Sequence, residues 1–189
     1  MMKYKLILGS QSPRRQQLMH ELGFPCSTRV ISIDEIFPSD LAAENVAEYL
    51  AVKKGKAHLD SLTSSELVVT ADTTVIIEQD VLNKPQSVDE AQTMLQKLSG
   101  REHRVISGVC LTTLQWQHHF SEQTTVYFAP LTDSEISFYI EKYQPFDKAG
   151  GYAIQEWIGM IGITRIEGSY FNVVGLPVQR LYQELKNLM

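Results

Sequence analysis

Cysteine is scarce in this sequence: of 189 residues only Cys26 and Cys110 are cysteines, and neither has a CxxC spacing or a histidine nearby. That excludes a disulfide framework and a thiolate metal site, and two buried, reduced thiols are expected. Long apolar runs are absent too. Near the N-terminus there is only Leu6-Ile7-Leu8, too short for the apolar region of a signal peptide, and no stretch approaches the length that spans a bilayer. A cytoplasmic protein with no membrane partner is expected. Nor is there an excess of positive charge: 17 Lys and Arg stand against 22 Asp and Glu, a formal net charge of −5. A protein that coats duplex nucleic acid is thereby excluded, and a polyanionic ligand has to be held by a local cluster of cations against the overall field. No G-x-x-x-x-G-K-[ST] occurs, which rules out a P-loop phosphotransferase, and there is no internal repeat.

What is present fits a globular enzyme. Hydrophobic residues make up 43% and charged residues 21%, so the chain can bury a core, and 189 residues suffice for one core but not for two ordinary domains and a linker. One domain over residues 1–189 is expected. Lys5 to Leu8 reads as a buried strand that breaks at Gly9 before a helix from Arg14 to Leu22, stopped by Gly23. A strand follows around Cys26 to Ile31. From about Leu41 to Leu59 a helix places Ala43, Val46, Ala47 and Leu50 on one stripe, with Lys54 one turn beyond.

Leu67 to Ala71 is a short apolar run expected to form a central strand with Asp72 at its C-terminal end, where open α/β sheets keep their ligands. Val75 to Leu82 reads as a hairpin around Gln79-Asp80. Ser87 to Glu90 and Thr132 to Glu135 are capping boxes that open helices, one running to Gly100 and one to about Tyr143. Strands are expected at Arg104–Leu111, Thr124–Ala129 and Met160–Ile166, and a closing helix from about Pro177. The sum is an α/β fold with an elongated mixed sheet and flanking helices. Loops after the first strand, at Asp72 and at Gly150-Gly151 are expected to face one cleft.

Three elements carry chemistry. Ser10-Gln11-Ser12-Pro13-Arg14-Arg15 lies between a strand and a helix, where backbone N–H groups, hydroxyls and guanidiniums can all address one polyanion. The same residues serve equally as an ordinary cap, with Ser12 as N-cap, Pro13 in the first turn and two solvated arginines. Glu35 and Asp72, with Asp34 beside the first, can hold Mg²⁺ or Mn²⁺ against a triphosphate, and one of them can act as a base, although an acid at a strand end is more often a turn former or a cap. Lys54 and Lys84 are point charges suited to phosphate oxygens, although a lone lysine is usually a solvated surface residue. His118-His119 lies in a polar, strand-like stretch with no acid or thiol at ligand spacing, so exposed strand positions are expected.

Together these segments resemble the Maf-like nucleotide pyrophosphatases along essentially the whole chain. The resemblance is carried by Ser10 to Arg15, Asp34-Glu35, Lys54, Ala71-Asp72-Thr73, Asn83-Lys84-Pro85, Leu98-Ser99-Gly100, Asp147 to Gln155 and Ile166 to Pro177. It implies two lobes around a central cleft, as in Maf and ITPase folds. It further implies Asp72 as proton acceptor, Glu35 as a metal and water ligand with Asp72 beside it, and Ser10, Ser12, Arg14, Arg15, Lys54 and Lys84 as triphosphate contacts. Arg14, Thr73 and Gln155 match the positions tied to substrate choice. Read from the residues alone, Trp116, Trp157 and the tyrosines are core or cleft wall, with Trp157 or Tyr152, near Gln155, as the ones that could border a base.

The block Gly150-Gly151-Tyr152-Ala153-Ile154-Gln155 is similar to the branch that cuts dTTP and UTP to the monophosphate and pyrophosphate, with modified pyrimidine nucleotides a further substrate class. A divalent metal, a nucleoside triphosphate substrate and a homodimer are implied as well. A regulatory reading, nucleotide binding in septum formation without turnover, separates from catalysis on whether pyrophosphate is released. One departure is Lys54-Gly55, where the family usually has Lys-Ala; glycine inside a helix costs about 1 kcal/mol.

Overall fold

The computed structural model describes residues 3–188. Leu6, Ile7 and Leu8 are buried in strand β1 (Lys5–Leu8), and Pro13 opens helix α1 (Pro13–Glu21) with Ser12 as its N-cap. Strand β2 (Cys26–Thr28) follows, then a long irregular segment. A single 3-10 turn, Ala43–Asn45, leads into α2 (Val46–Ala57), whose buried stripe is Val46, Ala47, Leu50 and Ala51. Next come β3 (Glu66–Ile77), β4 (Asp80–Leu82), α3 (Val88–Leu98), β5 (Glu102–Thr112), β6 (Gln117–Phe128) and α4 (Asp133–Tyr143). The chain closes with α5 (Trp157–Gly162), β7 (Ile163–Glu167), α6 (Tyr170–Val174) and α7 (Val178–Lys186).

Among these residues seven strands form one mixed sheet in the order β2-β1-β3-β5-β6-β7, with β4 paired to β3. β1 runs parallel to both β2 and β3, in a register that sets Leu6 beside Leu67 and Leu8 beside Val69. The β3–β4 and β6–β7 pairs are antiparallel. The α/β class, the mixed sheet and the flanking helices are therefore as expected.

The chain divides into two compact units. The first contains the residues up to Asp72, Ser107–Glu122 and those from Gly175 onward; the second contains Thr73–Ile106 and Gln123–Val174. In the first, α2 lies so close to β5 that a Cβ on Gly108 would fall 2.4 Å from the Glu48 backbone. Gly55 is placed by the same crossing: its Cβ would meet Thr112 Oγ1 at 2.5 Å, so glycine in mid-helix answers a packing demand and the helix runs through it unbroken. In the second unit, the core gathers Val75, Ile77, Leu95, Leu98, Val105, Val126, Ile136, Tyr139, Tyr152 and Ile158.

Several local expectations are corrected. Asp72 stands in the middle of a twelve-residue strand and not at its end, because Thr73 and Thr74 continue the extended chain into the β3–β4 hairpin. Met160 to Gly162 is helical: Ile158 and Gly162 are its buried positions, four residues apart, and the Glu156 carbonyl accepts from the Gly159 and Met160 N–H groups. Glu90 caps differently from a true box, accepting from the Gln86 N–H instead of that of Ser87. Cys110 is buried, whereas Cys26 is half-buried, and both are free. β2 ends at Thr28, short of Ile31.

Candidate active site

In the first unit the loop between β1 and α1 is built on Gly9. A Cβ there would lie 2.7 Å from Thr70 Cγ2 and 2.8 Å from Nε2 of the buried His58, so only glycine lets the loop pass. The Ser12 N–H donates to Ser10 Oγ (3.2 Å), and Ser12 Oγ accepts from the Arg15 N–H (3.5 Å). The capping role of Ser12 is thus present in the structure. Arg15 is no solvated arginine: its Nε donates to the Gly175 carbonyl (2.8 Å) and its Nη1 to the Ala71 carbonyl (2.9 Å), one residue before Asp72. Burial pulls its pKa below the ordinary value and the charge of Arg14 pulls the same way, while Asp72 and Glu35 oppose them. These four charges are therefore within electrostatic reach of one another.

Glu35 is brought in from the irregular segment by Lys53, whose ammonium donates to the carbonyls on either side of it, those of Asp34 (2.8 Å) and Ile36 (3.0 Å). The next residue on α2, Lys54, holds both acids: its Nζ is 2.7 Å from Glu35 Oε1 and 2.5 Å from Asp72 Oδ1. Two carboxylates that converge on one ammonium also suit a hard divalent cation, which takes one or two carboxylates and completes its shell with phosphate oxygens and water. No cluster of three or more acid, histidine or cysteine side chains stands ready as a metal cage among the described residues. Glu35 and Asp72 are thus the side chains that could contribute to holding such a cation.

The second unit holds Thr73, half-buried on β3, Lys84, exposed between β4 and α3, and Gln155, exposed in the turn before α5. The loop that carries Lys84 is tied to the glycine turn. The Gly150 N–H donates to the Asn83 carbonyl (3.1 Å), and a Cβ on Gly151 would touch the Pro85 ring at 3.7 Å. Gly150 and Gly151 have φ of +69° and +71°, a conformation open to glycine at no steric cost. Tyr152 belongs to the core, as expected of the tyrosines: it is buried, its hydroxyl 2.6 Å from His103 Nε2 and its ring packed on Phe128. Burial drives the His103 pKa down to about 3. Trp157 is half-buried against Phe138.

His118 and His119 occupy exposed positions on β6, paired with Glu184 and Glu48 respectively. Four further residues lie beside the candidate groups. Lys148 lies within the Asp147–Gln155 block and Glu156 directly follows it, so their place in the sequence is a signal, whereas nothing in the sequence sets Lys53 or Tyr139 apart.

An α/β protein with a serine- and arginine-bearing loop at a helix start, and two carboxylates gathered on one lysine, is equipped to receive a polyanion and act on it. The chain belongs to the Maf-like protein family, whose profile matches residues 5–188. It is 52% identical over 187 residues to a dTTP/UTP pyrophosphatase of Phocaeicola vulgatus, covering 98% of this chain and 97% of that one. Identity to the dTTP/UTP pyrophosphatases of Bacteroides thetaiotaomicron and Porphyromonas gingivalis is 47% and 48%, again over 98% of this chain, and over 97% and 94% of theirs. In fold it is similar to the Staphylococcus aureus Ham1 protein, with a TM-score of 0.51 and 16% identity over 98% of this chain and all of the other (100%). Among the described residues no helix is long and apolar enough to cross a membrane.

Proposed function

We propose that this chain is a nucleoside triphosphate pyrophosphatase that cuts dTTP and UTP between the α and β phosphates. Full-length identity of 45–52% to relatives of that name supports the substrate class. The observation that carries the chemistry is the joining of Glu35 and Asp72 by Lys54. Attack of water on the α-phosphorus needs neutralised phosphate oxygens, an oriented water and a stabilised leaving group.

In this reading Asp72 accepts a proton from the water, and Glu35 orients that water. Glu35 and Asp72 together would hold Mg²⁺ or Mn²⁺, which when bound supplies positive charge to the phosphate oxygens. Lys54, Arg14 and Lys84 address the triphosphate, while Ser10, Ser12 and Arg15 shape the loop that receives it. Gln155 presents an amide whose donor and acceptor match the carbonyl and N3–H of thymine or uracil, with Thr73 and Arg14 adding to substrate choice. A cytoplasmic homodimer that clears the nucleotide pool, modified pyrimidine nucleotides included, fits the same reading.

The test is pyrophosphate release by purified protein with Mg²⁺ or Mn²⁺ and dTTP, UTP or GTP in turn. Sustained turnover of dTTP and UTP, with GTP far behind, is expected. Binding without turnover would instead assign a nucleotide-sensing role.

A further inference from the structure

The second unit contains a polar network that the proposed chemistry does not use. Tyr139, on α4, donates its hydroxyl proton to Glu156 Oε2 (2.5 Å), and the same hydroxyl oxygen accepts from the Ala153 N–H (3.1 Å). The other carboxylate oxygen of Glu156 lies 3.4 Å from Lys148 Nζ, whose ammonium is also 2.7 Å from Asp147 Oδ1. Lys148 is a costly residue to bury, yet its side chain is only 8% exposed. Between the two ends of this network stands Gln155. Ala153 and Glu156 are the first and last residues of a turn closed by the Glu156 N–H on the Ala153 carbonyl (3.1 Å), and Tyr139 bridges those same two residues from outside.

The turn is fixed from below as well. A Cβ on Gly159 would fall 1.8 Å from the Ile154 carbonyl oxygen, so α5 sits directly on the turn and the turn cannot sink. Ile154 is buried in the core of this unit while Gln155 is exposed. One exposed amide is therefore flanked by a backbone N–H and a carboxylate that a single buried tyrosine joins, the carboxylate being held from its other side by a lysine.

We infer that Tyr139 and Glu156, backed by Lys148, are positioning residues that set base specificity by holding Gln155 in a single orientation. The inference rests on the reading of Gln155 as the base contact. A side chain that must offer a donor and an acceptor at fixed angles loses its selectivity when its backbone can rotate, because discrimination comes from polar groups committed to one edge. Burial and the adjacent Glu156 carboxylate push the Tyr139 pKa upward, so the hydroxyl stays a donor across the working pH range.

The experiment compares kcat/KM for dTTP and GTP in wild type, Tyr139→Phe, Glu156→Ala and Gln155→Ala, and in the doubles that add Gln155→Ala to each clamp variant. Loss of the clamp should raise the KM for dTTP and lower the dTTP-to-GTP ratio by about tenfold, leaving GTP turnover unchanged. In the Gln155→Ala background the same substitutions should change neither substrate, since there is no amide left to orient. Glu156 is only half-buried, so Glu156→Ala carries the test if Tyr139→Phe folds poorly. An equal fall for both substrates, or an effect that persists without Gln155, would make the network a structural support and overturn the inference while leaving the base contact intact. If Gln155→Ala itself leaves the ratio unchanged, the base-contact reading fails and the clamp falls with it.

Discussion

The Lys54 ammonium stands 2.5 Å from the Asp72 carboxylate, on side chains that are 15% and 12% exposed. At that burial neither charge is left to water alone, and each offsets the desolvation of the other. Glu35 is the more exposed third member at 43%, so it can turn toward solvent or a ligand with less loss.

Asp72→Asn keeps the volume and a hydrogen-bonding oxygen but removes the charge that accepts a proton. It is expected to lower kcat for dTTP by about a hundredfold or more, while Glu35 still pairs with Lys54 and the fold stays intact. Pyrophosphate release together with a thermal melt checks both halves. Turnover within a few-fold of wild type would remove Asp72 from the chemistry.

Arg14→Ala and Lys84→Ala each delete a cation assigned to the triphosphate. A lost charge-assisted hydrogen bond is worth about 2 kcal/mol, or roughly thirtyfold in kcat/KM. Arg15→Ala should behave differently and lower the melting temperature as well, because it strips the donors from the Ala71 and Gly175 carbonyls. Full efficiency of the Arg14 and Lys84 variants at subsaturating dTTP would place both side chains outside the site.

Gly55→Ala tests packing against propensity. Alanine is the better helix former by about 1 kcal/mol, yet its methyl would meet Thr112 Oγ1 at 2.5 Å, and that short, buried side chain accepts from Gln117 Nε2. The expected outcome in urea denaturation is a net loss of about 1–2 kcal/mol, relieved when Thr112→Ala is added. A stabilised Gly55→Ala would show that α2 can shift away from β5.

His103 gives stability a defined pH slope. Above about pH 6.5 it is neutral folded or unfolded; below that, the unfolded chain takes up a proton that the folded chain refuses until about pH 3. Stability therefore falls as pH falls through this window, by up to about 1.4 kcal/mol per pH unit for the one group. The pKa of the buried His58 is also lowered by burial and adds in the same direction. Arg29 holds Glu66 at about 2, so that carboxylate contributes only below about pH 4.5. Denaturation midpoints between pH 6.5 and 5 isolate the histidines, and His103→Gln should flatten the slope. An unchanged slope would mean that His103 titrates normally in the folded state.

By itself the sequence determined the features that depend on neighbours along the chain. Ser12-Pro13 starts α1, Thr132 and Glu135 close a full capping box, and Val75 to Leu82 folds into a hairpin, because each is decided by backbone donors and side chains within a few residues. The candidate residues Ser10 to Arg15, Glu35, Lys54, Asp72, Thr73, Lys84 and Gln155 were legible as chemical types in the same way. Which of them meet was not. Only the tertiary structure decided that Lys54 joins Glu35 to Asp72 and that Arg15 is spent on the Ala71 and Gly175 carbonyls. The same holds for Tyr152, which packs into the core beside His103, and for Tyr139, which bridges Ala153 and Glu156 on either side of Gln155. Gly55 shows the physical reason most plainly: helix propensity acts within one turn and argues against it, whereas its need arises from Thr112, far along the chain and brought within 2.5 Å of its missing Cβ only by folding.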